Sequence, residues 1–241
     1  MTIRPKPDGA LHPPPLGAAI FEAFCRMFFT CYCPLRVEGR QHLPDGPFLL
    51  CSNHASHADS AALMTASGRS FRSFALIGAS DYFFQSRFLH WLVSRWMKVI
   101  PIDRRPGPKS LAACLAAGRQ FLEQSEGTLI LYPEGTRSPD GEMREFKQGA
   151  GLFAIELGVP IVPAYVEGTH RILPKGKSIP RFGPVTVRFG EALAAPQSPL
   201  WRGESARERR RQVVEKLADS IRTLRSDYQV QEWMVGVRGK G

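Results

Sequence analysis

Residues 47–59 read PFLLCSNHASHAD, an apolar run that passes directly into a polar segment. The run 47–51 predicts a buried β-strand because it is short and apolar, and 59–66 predicts a helix. Asp59 favours a helix start at this point, since carboxylates are stabilised near helix N-termini. In open α/β sheets, functional side chains lie where a strand ends and a helix begins. The stretch therefore predicts a strand–turn–helix unit with a candidate site in its turn.

The same alternation of apolar runs and helical patterns extends along the chain. Further strands are predicted at 71–77, 99–102, 128–132, 161–166 and 185–189. Further helices are predicted at 81–97, 109–124, 149–157 and 204–224. Such alternation indicates an α/β protein, so we expect a single domain with a mixed, largely parallel sheet flanked by helices.

The 241 residues fit one domain with additions at both ends. We expect an irregular segment and an apolar helix over 1–34, the main domain over 35–226 and a C-terminal tail over 227–241. Prolines within residues 1–15 interrupt anything like a signal-peptide core, so export is not expected.

The predicted N-terminal helix, 16–33, is apolar and aromatic apart from Glu22 and Arg26. Its length is at the lower edge for crossing a bilayer, and its two charges favour a position in the membrane interface. Packing on the domain core explains the same pattern equally well. Two other predicted helices leave a similar choice open. The aromatic helix 81–97 either contacts lipid or packs in the core. The arginine-rich helix 204–224 either contacts lipid or presents a solvated face.

The charge and the cysteines limit the partners. A net charge of +10 indicates an anionic partner, which includes nucleic acids, anionic lipid surfaces and phosphorylated substrates. The chain has neither a zinc-finger spacing nor an RRM-like aromatic signature, so no nucleic-acid partner is expected. Its five cysteines include no CxxC pair, which argues against a disulfide framework and against a thiolate zinc site.

His54 and Asp59 are the candidate catalytic pair. At about 100° per residue, positions five apart are separated by roughly 140° around a regular helix, so the two side chains cannot meet on one helix face. His54 must therefore lie in the turn, with Asp59 in the first helical turn folding back toward it. The carboxylate would then accept the proton on one ring nitrogen and leave the other nitrogen as a base. Such a pair is suited to deprotonating a hydroxyl group.

A metal site is the alternative for this cluster, because Cys51, His54, His57 and Asp59 lie close together in sequence. The order H-x-x-H-x-D matches neither HExxH nor the common zinc-finger spacings, and a fourth ligand is not evident. We therefore predict no metal, and His57 is taken as a bystander.

Three further blocks follow in order. PIDRR at 101–105 places two arginines just after a predicted strand, and VPIVPA at 159–164 is a rigid apolar segment. LYPEGTRS at 131–138 combines a glycine turn with an arginine and hydroxyl groups, a chemistry suited to phosphate.

The four blocks together resemble the glycerolipid acyltransferase family typified by lysophosphatidate (1-acylglycerol-3-phosphate) acyltransferase. NHASHAD resembles the family's NHxxxxD block, which contains the HX4D motif, and PIDRR, YPEGTRS and VPIVPA resemble its next three blocks. The resemblance covers about residues 48–168. It implies that His54 is the general base, that Asp59 orients it, and that no acyl-enzyme forms. It also implies that the acceptor's phosphate end is held by Arg104, Glu134, Gly135, Thr136 and Arg137.

By the same resemblance, the apolar segment 159–163 would help to bind the acyl donor. Because a carboxylate repels phosphate, Glu134 is expected to brace an arginine or to bond a hydroxyl group. The resemblance implies acyl-CoA or acyl carrier protein as a co-substrate, with no cofactor.

The expected reaction is acyl transfer to lysophosphatidate, which gives phosphatidate in phospholipid synthesis. Glycerol 3-phosphate, other lysophospholipids and lyso-ornithine lipid stay open as acceptors, because the motifs do not separate them. We expect a peripheral or monotopic protein on an anionic membrane surface, at the cytoplasmic face of the cell membrane. A non-catalytic lipid-surface binding protein of the same fold is the alternative from another class, and a metal-dependent hydrolase is a third.

Overall fold

The computed structural model of the chain describes residues 15–79, 97–103, 107–125, 127–174, 176–177, 179–195 and 205–238. The strands of this part are β1 (Leu35–Glu38), β2 (Phe48–Ser52), β3 (Phe74–Ala79), β4 (Lys98–Ile102), β5 (Thr128–Leu131), β6 (Ile161–Glu167) and β7 (Val185–Phe189). The helices are α1 (Pro15–Met27), α2 (Asp59–Ser67), α3 (Pro108–Ser125), α4 (Gly149–Leu157), the single turn α5 (Thr169–Ile172) and α6 (Ala206–Arg238). A π-helical turn at Phe28–Tyr32 continues α1, and 3₁₀ turns lie at Arg40–His42 and Phe71–Ser73.

The seven strands form one sheet in the order β1-β7-β6-β2-β5-β3-β4. Five neighbouring strands, from β6 to β4, run parallel, and β7 pairs antiparallel with β6. Strand β2 lies at the centre, with Leu50 opposite Ile130 of β5 and Val162 of β6. All five residues of β2 are buried, as expected for a strand covered on both faces. The predicted class, a mixed and largely parallel sheet, is confirmed.

Side chains of β2 alternate between two hydrophobic clusters. Leu49 and Cys51 pack in the cluster that contains residues of α3, α4 and α6. Phe48 and Leu50 pack in the cluster that contains residues of α1 and α2. The alternation follows from the two-residue period of a strand. The domain is therefore a three-layer arrangement in which the sheet separates the two groups of helices.

The predicted elements agree with the structure within a few residues, apart from strand β1, the single turn α5 and the end of α6. Strand β1 was not predicted, because it is short and its partner is β7, which lies far along the chain. Helix α6 continues to Arg238 and enters the predicted tail, since neither proline nor glycine interrupts the sequence from 206 to 235. The predicted aromatic helix 81–97 lies outside the described residues, except for Met97.

Helix α1 packs against the domain through one face. Ala18 and Cys25 are buried, while Leu16, Ile20 and Phe24 on the opposite side are exposed. The two charges of the helix belong to the packed side, because Arg26 donates to the Arg69 carbonyl oxygen at 3.1 Å.

Glu22 accepts a hydrogen bond from the Phe71 backbone N–H at 2.9 Å. The helix therefore packs on the core with one face, as the packing interpretation predicts, and leaves an apolar face exposed. Among the described helices, none combines the length and the apolar character needed to cross a bilayer.

Candidate active site

The candidate site lies where β2 and β5 end side by side. These strands are parallel, and Cys51 of β2 is opposite Leu131 of β5. The polar segments that follow them, 53–58 and 132–138, therefore emerge at the same edge of the sheet. The first and third blocks of the sequence are neighbours for this reason.

His54 and Asp59 form the predicted pair. The His54 Nδ1 atom lies 2.8 Å from Asp59 Oδ2. His54 follows the end of β2, and Asp59 is the first residue of α2, as the spacing required. Because an ionised carboxylate only accepts hydrogen bonds, Nδ1 carries the proton and Nε2 keeps a lone pair. The arrangement is that of a general base with its orienting carboxylate.

The surrounding turn holds the Asp59 carboxylate in place. Asp59 Oδ2 also accepts the backbone N–H groups of Ala55 at 2.7 Å and Ser56 at 2.8 Å. The side chain is fully buried, and its second oxygen, Oδ1, makes no hydrogen bond within the described part of the chain. Three charge-assisted bonds at a single oxygen fix the direction of the carboxylate and, through it, the plane of the imidazole.

The third block is bonded to His54 through the backbone. The His54 N–H donates to Glu134 Oε1 at 2.9 Å, and the Ser138 N–H donates to the His54 carbonyl oxygen at 2.7 Å. The other oxygen of Glu134 accepts the Arg144 N–H at 3.3 Å. Both carboxylate oxygens are thus directed at backbone amides, so Glu134 ties the two loops together.

Burial raises the pKa of Glu134 from 4.5 to about 7, although the two backbone donors oppose this shift. Its side chain is almost completely buried. A carboxyl group with this pKa changes its charge near neutral pH. Glu134 would therefore change its charge while in contact with the backbone N–H of His54.

Tyr132 is a site residue to which the sequence assigned no role. Its ring stacks on the imidazole of His54, with centroids 3.7 Å apart and planes 11° from parallel. Its hydroxyl group lies 2.6 Å from Ser60 Oγ, on the first turn of α2. Burial and the Asp59 carboxylate raise the pKa of Tyr132 above its usual value. The signal in the sequence was its place directly after a predicted strand, as His54 lies shortly after the strand that begins at residue 47.

The glycine of the third block shapes the turn. Gly135 has φ +67°, in the left-handed region, and its N–H donates to the Tyr132 carbonyl oxygen at 3.0 Å. A side chain here would meet Lys147 Nζ at 2.9 Å from the added Cβ. The contribution of Gly135 is therefore conformational, while Thr136 and Arg137 are half-buried and lie at the turn itself.

A profile of the Acyltransferase family matches residues 34–167, more than half of the chain. The chain belongs to the Acyltransferase family. The matched range of this acyltransferase includes β1 to β6 and both loops of the candidate site.

Named relatives of this acyltransferase occur in plants, yeast and bacteria. It is 35% identical over 144 residues to a chloroplastic 1-acyl-sn-glycerol-3-phosphate acyltransferase of Arabidopsis thaliana, which covers 59% of this chain and 38% of that protein. It is 28% identical over 159 residues to the Pseudomonas aeruginosa protein of the same activity name, and the match covers 66% of this chain and 59% of that protein. It is 27% identical over 188 residues to the Saccharomyces cerevisiae protein of this activity name, and the match covers 77% of this chain and 60% of that protein. The chain spans about half the length of the curated relatives it matches.

A solved structure has the same fold. The crystal structure of the 1-acyl-sn-glycerophosphate (LPA) acyltransferase PlsC from Thermotoga maritima superimposes with a TM-score of 0.63 at 24% identity. The match covers 87% of this chain and 78% of that one. It supports the fold class independently of the sheet topology described above.

The other sequence-predicted site residues have different outcomes. Arg104 of the second block lies outside the described residues, while Ile102 of the same block ends β4 at the edge of the sheet where His54 lies. The fourth block begins β6, where Ile161 and Val162 are buried beside β2. This block is part of the sheet interior rather than of the loop beside the base.

Two of the four residues weighed as metal ligands, His54 and Asp59, are the hydrogen-bonded pair described above. Cys51 lies in the hydrophobic cluster with Leu49, and burial raises the pKa of its thiol. His57 is exposed, unlike Asp59. Within the described ranges no group of three or more His, Cys, Asp and Glu side chains is placed to hold a metal ion.

Proposed function

We propose that this protein transfers a fatty acyl group from a thioester to the free hydroxyl of lysophosphatidate, giving phosphatidate. The observation that carries the proposal is the His54–Asp59 pair, which leaves Nε2 as a base beside the phosphate-suited loop 134–138. The relatives with the acyltransferase name add support for the acceptor, since several of them match more than half of the chain.

In this mechanism the acceptor hydroxyl attacks the thioester carbon directly. His54 Nε2 takes the hydroxyl proton as the new C–O bond forms, and Asp59 stabilises the resulting imidazolium. The tetrahedral intermediate then collapses, the C–S bond breaks, and the imidazolium returns the proton to the departing thiolate. The products are an ester and a free thiol, and no acyl-enzyme forms. A positioned base contributes roughly 10²–10⁴ in rate, while proximity supplies much of the remainder.

We assign the phosphate end of the acceptor to Arg137, Thr136 and Arg104. An arginine binds phosphate with two parallel hydrogen bonds, and the hydroxyl of Thr136 adds a donor. Glu134 and Gly135 act differently, because the carboxylate of Glu134 already accepts two backbone amides and Gly135 supplies the turn. Both are therefore positioning residues for the base and for Arg137.

The test is thioester consumption by the purified full chain. With acyl-CoA or acyl carrier protein as donor, free thiol should appear only when an acceptor is present, and lysophosphatidate should give the highest kcat/KM. His54→Ala should abolish thiol release, while His57→Ala on the same loop serves as the matched control and should retain it. A higher kcat/KM for glycerol 3-phosphate or lyso-ornithine lipid would replace the proposed acceptor. Lipid binding without thiol release for any acceptor would indicate a non-catalytic protein instead.

We also propose that the protein works on an anionic membrane surface at the cytoplasmic face of the cell membrane. Its acceptor and product are membrane lipids, its net charge is +10, and α1 exposes an apolar face. Flotation of the full chain with anionic vesicles tests the surface binding. Fractionation of cells tests the side of the membrane.

A further inference from the structure

The loop formed by residues 179–182 is a second exposed apolar element, and it lies beside the end of α1. Ile179 and Phe182 are 83% and 70% exposed, which is unusual for large apolar side chains in a packed domain. This segment is held against the π-helical turn, because the Tyr32 hydroxyl donates to the Pro180 carbonyl oxygen at 3.3 Å. The Cys33 thiol likewise donates to the Arg181 carbonyl oxygen at 3.5 Å. Segments that are 148 residues apart in sequence thus form one surface.

Aromatic rings connect the two elements without a gap. Phe24 stacks on Phe28 at 6.1 Å, Phe28 contacts Tyr32 at 5.4 Å, and Tyr32 meets Phe182 edge to face at 6.0 Å between centroids. A continuous row of rings therefore runs from α1 to the 179–182 loop.

The helix extends this row along its exposed side. At about 100° per residue, the large exposed apolar residues of α1, which are Leu16, Ile20, Phe24 and Met27, fall within an arc of roughly 80°. We call the combined surface the docking surface; its residues are Leu16, Ile20, Phe24, Met27, Tyr32, Ile179 and Phe182. Contiguous apolar patches of this kind mark interaction sites on soluble folds.

Positive charge borders the docking surface on the loop side. The sequence from 168 to 184 contains no Asp or Glu, and its Arg171, Lys177 and Arg181 are exposed. On the helix side, Arg26 is paired with Glu22 at 2.9 Å and both face the domain. An apolar surface bordered by exposed cations complements an anionic lipid surface, which offers hydrocarbon beneath negative head groups.

We propose that the 179–182 loop is a second membrane-inserting element, which enters the head-group region of an anionic bilayer together with α1. This inference rests on the proposed function, since it names the partner surface of the same enzyme. A contact that includes both α1 and the loop fixes an orientation, whereas a contact through the helix alone leaves the domain free to rotate about the helix axis.

The loop is also tied to the catalytic turn. The Arg181 N–H donates to the Ile172 carbonyl oxygen at 2.7 Å, and the Ser56 hydroxyl donates to the next carbonyl oxygen, that of Leu173, also at 2.7 Å. Ser56 lies between His54 and Asp59 in the candidate site. Docking of the loop therefore orients the turn that carries the base relative to the bilayer that supplies the acceptor.

The test is flotation of the full chain with vesicles of phosphatidylcholine containing about one third phosphatidylglycerol. We expect Ile179→Ser/Phe182→Ser to weaken partitioning by about tenfold or more, because two large apolar side chains no longer enter the bilayer. The matched control Ile179→Leu/Phe182→Leu keeps both side chains apolar and should bind like the wild type. Arg181→Gln should weaken binding by roughly fivefold on anionic vesicles and have no effect on pure phosphatidylcholine. Arg119→Glu, on the opposite helix layer, should bind normally on both.

Catalytic activity is measured separately, as thiol release from a short-chain acyl thioester with a short-chain acceptor, both soluble in water. Ile179→Ser/Phe182→Ser should keep its activity on these substrates and lose it on vesicle-borne acceptor, whereas His54→Ala should bind vesicles without activity. Unchanged vesicle binding by Ile179→Ser/Phe182→Ser would overturn the proposal. Self-association of the wild-type chain through this surface without lipid, removed by the same variant, would also overturn it, since the occupant would then be a second copy. Failure of the soluble assay in the wild type would reject the proposed function alone.

Discussion

The imidazole of His54 lies flat against the ring of Tyr132, with 3.7 Å between the centroids. The hydroxyl of Tyr132 is in turn held by Ser60, 2.6 Å away on α2. The electron-rich face of an aromatic ring attracts a cation, so in the proposed mechanism this stack would orient the neutral base and stabilise its imidazolium form. Asp59 restrains the edge of the imidazole ring, while Tyr132 restrains its face.

Replacement of Tyr132 should therefore lower kcat. We expect Tyr132→Ala to reduce kcat by about ten- to a hundredfold with little change in KM, since the base loses its orientation but the phosphate loop remains. Steady-state kinetics with a soluble acceptor measure both constants. Tyr132→Phe is the matched control, because it keeps the stack and loses only the bond to Ser60, and its kcat should stay within about threefold of wild type. Equal losses in the two variants would show that the hydroxyl group, and not the stack, positions the base.

Asp59 should be essential for rate and nearly dispensable for folding. Asp59→Asn keeps the shape of the side chain, and its amide oxygen can still accept the Ala55 and Ser56 amides. It lacks the negative charge that opposes the imidazolium, so we expect kcat to fall by about 10²–10⁴. Thiol release measures the rate, and thermal unfolding should show only a small change. Asp219→Asn on the exposed face of α6 is the control. A kcat within a few-fold of wild type would contradict the role assigned to Asp59.

Glu134 should make stability depend on pH. Its pKa is 4.5 when unfolded and about 7 when folded, because burial disfavours the charged form. Below about pH 4.5 the group is protonated in both states and contributes no difference. Between pH 4.5 and 7 the proton dissociates only in the unfolded chain, so the free energy of unfolding falls as the pH rises. The decrease amounts to up to about 3 kcal/mol and is complete above about pH 7.

We therefore expect the free energy of unfolding of the wild type to fall, relative to that of Glu134→Gln, as the pH rises from about 4.5 to 7. Urea denaturation of both proteins across this range measures the difference. Glu145→Gln, an exposed residue of the same loop, should give a curve parallel to the wild type. A constant difference between the wild type and Glu134→Gln at every pH would show that burial does not perturb this carboxyl group.

Gly135 should not tolerate a side chain. Its φ of +67° is strained for any residue with a Cβ, and the added atom would displace the Lys147 side chain. We expect Gly135→Ala to lower the free energy of unfolding by about 1–2 kcal/mol and to raise the KM for the acceptor, since the turn that carries Arg137 moves. Gly46→Ala is the control, because no atom lies within 4 Å of its added Cβ. An unchanged KM in Gly135→Ala would separate this turn from acceptor binding.

The sequence predicted much of the fold because the signals involved are local. Strand β2 and helix α2 follow from an apolar run, a polar turn and an aspartate at the helix start, all within 47–66. Strand β1 escaped prediction because four residues at a sheet edge carry little periodicity, and only their pairing with β7 defines them. Helix α6 was predicted to end at 224, although the sequence from 225 onward contains no strong stop signal before Gly236, and the helix continues to Arg238.

By itself the sequence determined the candidate base and its partner. His54 and Asp59 are five residues apart, so a turn and the first turn of a helix are enough to bring them together. The tertiary structure alone decided what surrounds them. The contact of Glu134 with the backbone of His54 spans 80 residues, and it exists because β2 and β5 pair in parallel with a particular register.

The docking surface likewise depends on contacts between distant segments, since Tyr32 and Phe182 belong to opposite parts of the chain. Local patterns follow from the geometry of one helix or strand. Contacts between distant segments depend on which strands pair and in what register, and that is determined by the packing of the whole core.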